Sequence, residues 1–266
     1  MKTSQWAAIS AAVILVGTLV APRAHAQTSA PQAPAPTGLT ASLDVDPMVP
    51  AGQRTPLSWS INYPSVIKKY VNIVPPGGSG GSGPGTITPT TNLYADVRII
   101  GQGVTVTTNN TGYTFVPTEA AMSINNSSTF TRIFYGTNPQ INPGSVTNLS
   151  SYFGSTYANN MIQTGKPVRF AGRYYYDGAW GTQYKSNSGD NVRFLVNGDT
   201  PPSNVPQYNA PSLESFLRPY LDTTGKVKIG PMDVIVFMEL THSSSQKSDP
   251  GYDLQDLVLL VTFRKP

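Results

Sequence analysis

The chain has 266 residues, carries 18 Lys and Arg against 14 Asp and Glu for a formal charge of +4, and contains no cysteine. That absence excludes disulfides and thiolate metal centres, so the hydrophobic core alone must hold the fold. No basic run long enough to track a phosphate backbone is present, which sets nucleic acid aside as a partner.

Residues 1–26 read as a cleaved export signal. Lys2 supplies the positive start, Ala7 to Val20 the apolar core, and Ala24-His25-Ala26 the small-x-small cleavage pattern. Pro22 and Arg23 interrupt the apolar run before it reaches the roughly 20 residues that a membrane span needs. Loss of Lys2 and Arg23 on cleavage lowers the formal charge from +4 to +2. The expectation is an exported protein, secreted, periplasmic or at the cell surface, with no transmembrane segment after cleavage. Residues 27–38 (QTSAPQAPAPTG) have no apolar period and read as an extended Pro/Ala-rich leader. Such a leader serves as a spacer or as an arm that adds a strand to a neighbouring copy.

From residue 39 the apolar period is two. Leu39, Ala41, Leu43 and Val45 alternate with polar residues, as do Leu57, Trp59 and Ile61. The span 46–61 (DPMVPAGQRTPLSWSI) resembles the first two strands of bacterial immunoglobulin-like or fibronectin-III-like domains. Further strands are expected over 66–74, 93–107, 113–116 and 129–135, with Gly101 and Gly103 marking a bend or bulge. Residues 119–122 suggest one helical turn, and 138–157 a long polar connection. The glycine-rich stretch 75–85 lacks the Gly-Lys-Ser/Thr ending of a phosphate loop and reads as an exposed connection.

Residues 167–184 (PVRFAGRYYYDGAWGTQY) form the next strong pattern, two alternating strands around an Asp177-Gly178 turn. The hairpin resembles the last two strands of a fibronectin-III-like domain. With the earlier segment, that resemblance implies an immunoglobulin-like β-sandwich over 39–185. Tyr175, Trp180 and Tyr184 are candidate carbohydrate-binding residues, because the apolar face of a pyranose packs on an aromatic ring. Alternate aromatics equally serve as core packing.

Residues 186–266 read as a C-terminal β-region. Residues 191–196 are strand-like, and Leu213, Phe216, Leu217 and Tyr220 have helical spacing, predicting one short helix over 212–221 that Pro219 ends or distorts. The most apolar segments are 234–238 and 257–261, each with apolar residues at odd and even positions. That marks a pair of strands covered on both faces, with the helix as lid for one of them.

Chemistry-bearing residues are few. His242 is the one histidine outside residues 1–26, and no G-x-S-x-G elbow accompanies it, so a Ser-His-Asp hydrolase has little to stand on. Glu239, Asp249, Asp253 and Asp256 cluster in or beside the terminal hairpin and form a candidate calcium site, since hard cations take several oxygen ligands. The step Asp253-Leu254-Gln255-Asp256-Leu257-Val258 resembles the C-terminal part of secreted bacterial β-domains of the DUF4114 type, departing from it at Leu254 and Gln255. The other reading gives Asp249 a turn and lets Asp253 and Asp256 accept backbone N–H groups. Glu239 with Asp253 or Asp256 is also the candidate carboxylate pair for glycoside hydrolysis.

These readings give an all-β protein: an immunoglobulin-like β-sandwich followed by a C-terminal β-region with one short helix. The expected function is a non-enzymatic structural, adhesion or assembly role at the cell surface, in the periplasm or in an extracellular matrix. Its partner would be a protein, a polysaccharide or further copies of the chain. A carbohydrate-binding module is the alternative and a hydrolase the third possibility.

Overall fold

A computed structural model of the chain describes residues 40–45, 57–62, 65–74, 85–108, 112–154, 160–202 and 216–266. The export signal and the leader expected over 1–38 lie outside these residues. So do residues 212–215 of the expected helix and the side chains of the first two strands. Residues Pro36–Pro266 form one compact unit.

The fold is all-β. In chain order the strands are β1 (Thr40–Val45), β2 (Leu57–Asn62), β3 (Val71–Val74), β4 (Thr86–Pro89) and β5 (Tyr94–Gly101). There follow β6 (Thr105–Thr108), β7 (Gly112–Phe115), β8 (Thr118–Ser123) and β9 (Thr131–Gly136), then a one-turn helix α1 (Ser150–Phe153). After it come β10 (Arg169–Tyr176), β11 (Ala179–Trp180), β12 (Tyr184–Lys185), β13 (Val192–Val196), β14 (Asp233–Met238) and β15 (Leu257–Arg264). All pairings are antiparallel. One sheet has the order β13-β14-β15-β5; a second has the order β11-β10-β8-β9, with β12 also on β10. The pairs β1-β2, β3-β4 and β6-β7 are separate two-stranded ribbons.

The double coverage of β14 and β15 follows from side-chain alternation. Val234, Val236 and Met238, with Leu257, Leu259, Val261 and Phe263, enter a core shared with Ala120, Met122 and Phe170 of the second sheet. Ile235, Phe237, Val258 and Leu260 point the other way, into a second cluster with Leu217, Val227, Ile229, Tyr252 and Leu254. Each such side chain taken fully out of water contributes about 2 kcal/mol. Phe216, Tyr220 and Leu221 pack against this second cluster, on the face where the lid over 212–221 is expected. Its described part is two helical residues, Phe216 and Leu217, running into a 3₁₀ turn, Arg218–Tyr220, where Pro219 sits at the start. The pairing of β5 with β15 joins residues from both sides of position 185 in one sheet.

Three local outcomes differ from or refine the sequence reading. Residues 119–122 are strand rather than helix. Every residue of β8 is buried between β9 and β10, and that placement overrides the helix propensity of Glu and Ala. The polar connection after 138 holds the helix α1, whose single turn is too short to leave a period. The bend at Gly101 is a β-bulge against Val258 and Leu259, and a Cβ on Gly101 would stand 2.3 Å from the Phe216 ring. Among the described residues no helix is long and apolar enough to cross a membrane.

Candidate functional site

β14 ends at Met238, and the next residue, Glu239, turns its carboxylate into the loop that leads to β15. The side chain is fully buried. Its Oε1 accepts the N–H of Thr241 (3.1 Å), the N–H of His242 (2.9 Å) and the Thr241 hydroxyl (2.8 Å). Its Oε2 accepts the N–H groups of Asp253 (3.0 Å) and Leu254 (3.2 Å). One carboxylate therefore ties both ends of the 239–256 loop together. Leu254 holds a left-handed backbone (φ 57°) in that loop, a conformation that costs a branched side chain about 1 kcal/mol or more. The two converging amides and the burial of its side chain hold it there.

Asp256 closes the same knot from the other side, with Oδ2 accepting the N–H groups of Leu240 (2.6 Å) and Thr241 (3.0 Å). Asp253 Oδ1 accepts the N–H of Gln255 (3.2 Å). Oxygens of Glu239, Asp253 and Asp256 all lie within 4.8 Å of one another, the one such group of potential metal ligands among the described residues. Three carboxyls this close and this buried cannot all ionise. Burial pushes Asp253 up to about 7, with the Glu239 charge adding to it. Burial, followed by the charges of Glu239 and Asp253, holds Asp256 well above the usual carboxylate range.

A cavity of about 380 Å³ opens beside the cluster; Asp253, Gln255 and Asp256 line it together with Asp249, His242 and Gly103. Gln255 is 2 % exposed, and its side-chain amide donates to Asp253. Its Oε1 has no hydrogen-bond partner among the described residues. A buried acceptor without a donor, on a residue that lines one cavity with two carboxylates, is an arrangement that a cation can complete. Gly103 permits it, because a Cβ there would stand 2.9 Å from both the Gln255 side chain and its carbonyl.

Of the four carboxylates predicted from sequence, three meet and Asp249 does not. Its Oδ1 accepts the N–H of Gly251 (2.9 Å) in a turn and lies 3.5 Å from His242 Nε2, with half its side chain exposed. The sequence reading passed over Gln255, which it treated as a departure from a pattern, and Asn191. Asn191 is buried and donates to the carbonyls of Glu239 (3.1 Å) and His242 (2.6 Å). No periodicity marks either residue; both are polar positions in strand-rich sequence that turn out to be buried.

The groups named by the two hydrolase readings are engaged in hydrogen bonds of the loop. Thr241 Oγ1 lies 2.8 Å from both Glu239 Oε1 and His242 Nδ1. Its single proton goes to the carboxylate oxygen, so Nδ1 donates to the hydroxyl and His242 is turned away from acting as its base. Glu239, its oxygens occupied by five donors, is not presented to a substrate.

The aromatic candidates divide. Tyr175 and Trp180 are cross-strand partners with ring centroids 5.0 Å apart. Tyr184 is opposite Gly172, on the other face of β10, and packs on the core. Its phenol is pushed up, first by burial and then by the charge of Glu239. Tyr184 thus belongs beside the carboxylates and not to the ledge. No family model, curated protein or solved structure matches the chain.

Proposed function

We propose that the chain is an exported, non-enzymatic β-protein of the cell surface, periplasm or extracellular matrix whose terminal loop is completed by a hard divalent cation, calcium. One observation carries the cation: the buried, unpartnered Oε1 of Gln255, on a residue that lines one cavity with Asp253 and Asp256. Those three residues supply protein oxygens, water in the cavity fills the remaining positions of a six- to eight-fold shell, and Glu239 fixes the loop that presents them. The ion neutralises the carboxyls that the metal-free loop keeps protonated, so the region between β14 and β15 is rigid when it is bound.

Isothermal titration of the chelator-stripped mature chain with calcium tests this. The expected result is one site per chain, with affinity reduced about tenfold or more in Asp253→Asn and Asp256→Asn. Asp249→Asn, whose half-exposed carboxylate lines the same cavity but lies outside the three-carboxyl group, should bind within about threefold of the parent. A parent that takes up no calcium, or an Asp253→Asn chain that binds as well as the parent, contradicts the proposal.

A further inference from the structure

The outer face of the second sheet has a composition that the cation site does not explain. On β10, Phe170 and Gly172 face the core, where a Cβ on Gly172 would stand 2.8 Å from Met238 Sδ and Leu240 Cδ2. The alternate residues Arg169, Ala171, Arg173 and Tyr175 therefore face outward. Register carries that face across the sheet: Ser123, Ala121 and Glu119 on β8, Arg132 and Tyr135 on β9, Lys185 on β12 and Trp180 on β11. It thus holds four cationic side chains around two buried alanines and a single carboxylate.

That carboxylate, Glu119, is 3 % exposed and is shared by two guanidiniums: Arg132 at 2.6 Å, and Arg173 at 3.0 Å on Oε1 and 3.2 Å on Oε2. Two positive charges on one negative leave the pair with a net charge of one, before Arg169 and Lys185 are counted. The guanidiniums also lie against the rings. Arg173 is 4.1 Å from the Trp180 centroid, and Arg132 is 5.4 Å from Trp180 and 5.2 Å from Tyr135. The rings hold the arginines flat, and Glu119 fixes them at one edge. Arg132 and Arg173 each reach Glu119 through Nε and Nη2. Tyr135 is 46 % and Trp180 36 % exposed.

We infer that this face binds an acidic polysaccharide, a polymer bearing one carboxylate on each sugar or on alternate sugars. A guanidinium fork matches a carboxylate, and exposed rings beside it match the apolar face of a pyranose. Charge density selects this class over a nucleic acid: each arginine is already half neutralised, and the cations are spaced by alanine and aromatic residues rather than run together. The inference is independent of the calcium site, and chelator keeps the two apart because calcium also bridges polyuronates.

The test is binding of the mature chain to polygalacturonate in chelator, at low and at raised salt, with neutral dextran and oligo-dT as comparison probes. Expected are saturable binding to polygalacturonate, weakening about tenfold or more between 50 and 300 mM salt, and no binding to dextran. Arg132→Gln and Trp180→Ala should each weaken it about tenfold, and Lys185→Gln about threefold. Trp180→Ala and Lys185→Gln leave Glu119 paired with both arginines and carry the test if Arg132→Gln does not fold. Absence of binding, equal binding by Trp180→Ala and Lys185→Gln, or tighter binding of oligo-dT overturns the inference.

Discussion

Replacing Glu239 by Ala should cost about 3–5 kcal/mol and lower the melting temperature by roughly 6–20 °C. The residue is fully buried, and its removal leaves the N–H groups of His242, Asp253 and Leu254 without their acceptor. Each orphaned donor costs about 1–3 kcal/mol. Relief of repulsion on Asp253 and Asp256 returns part of this, which keeps the total at the lower end of the sum. Glu239→Gln is the sharper experiment. A carboxamide has the same shape but one acceptor oxygen, so its NH₂ must face either Thr241 and His242 or Asp253 and Leu254, donor against donor. It should fall between the parent and Glu239→Ala in denaturant midpoint. A Gln variant as stable as the parent would mean that the loop is not organised around this carboxylate.

The second large effect is in pH. In the metal-free protein burial pushes Asp253 up to about 7 against an ordinary value of 3.8, and burial likewise holds Asp256 well above the usual carboxylate range. The folded state therefore holds protons that the unfolded chain has released between about pH 4 and pH 7, so stability falls as pH rises through that window. For Asp253 alone the loss is on the order of 4 kcal/mol by pH 8. Urea unfolding in chelator should give a higher midpoint at pH 5 than at pH 8. Asp253→Asn, which is neutral at every pH, should flatten the slope and raise the pH 8 midpoint above that of the parent. Saturating calcium should restore the parent at pH 8, by about 2.7 kcal/mol at a hundred times its dissociation constant. Stability that rises from pH 5 to pH 8 in chelator would contradict the burial of these acids.

How far the sequence foretold this arrangement depends on the kind of signal each part carries. The terminal strands were legible because Val234 to Met238 and Leu257 to Val261 are apolar at both parities, and double coverage is the one environment that tolerates this. The acids were legible because carboxylates are scarce in the chain, so three in eight residues stand out. Gln255 was not, since nothing about an isolated glutamine says that its Oε1 will be buried without a donor.

Tyr184 shows a different limit. Trp180 pairs with Tyr175, so an uninterrupted ladder would set Tyr184 opposite Ala171 on the outer face. Instead Tyr184 pairs with Gly172, because one extra residue enters between Trp180 and Tyr184. A slip of one residue flips a side chain to the opposite face of the sheet. The slip occurs beside Gly181, where a Cβ would stand 2.4 Å from the Tyr174 ring, and that close approach is set by tertiary packing. The β8 segment was misread for a related reason: Glu119, Ala120 and Ala121 favour helix locally, and only their burial between two strands makes them strand.

The most direct test of the cation site is an anomalous difference map from crystals of the mature chain grown with calcium or terbium. The account predicts a peak bonded to oxygens of Asp253, Asp256 and Gln255 at about 2.3–2.6 Å, with Glu239 still holding the loop amides. A map with no peak there at saturating metal would contradict it.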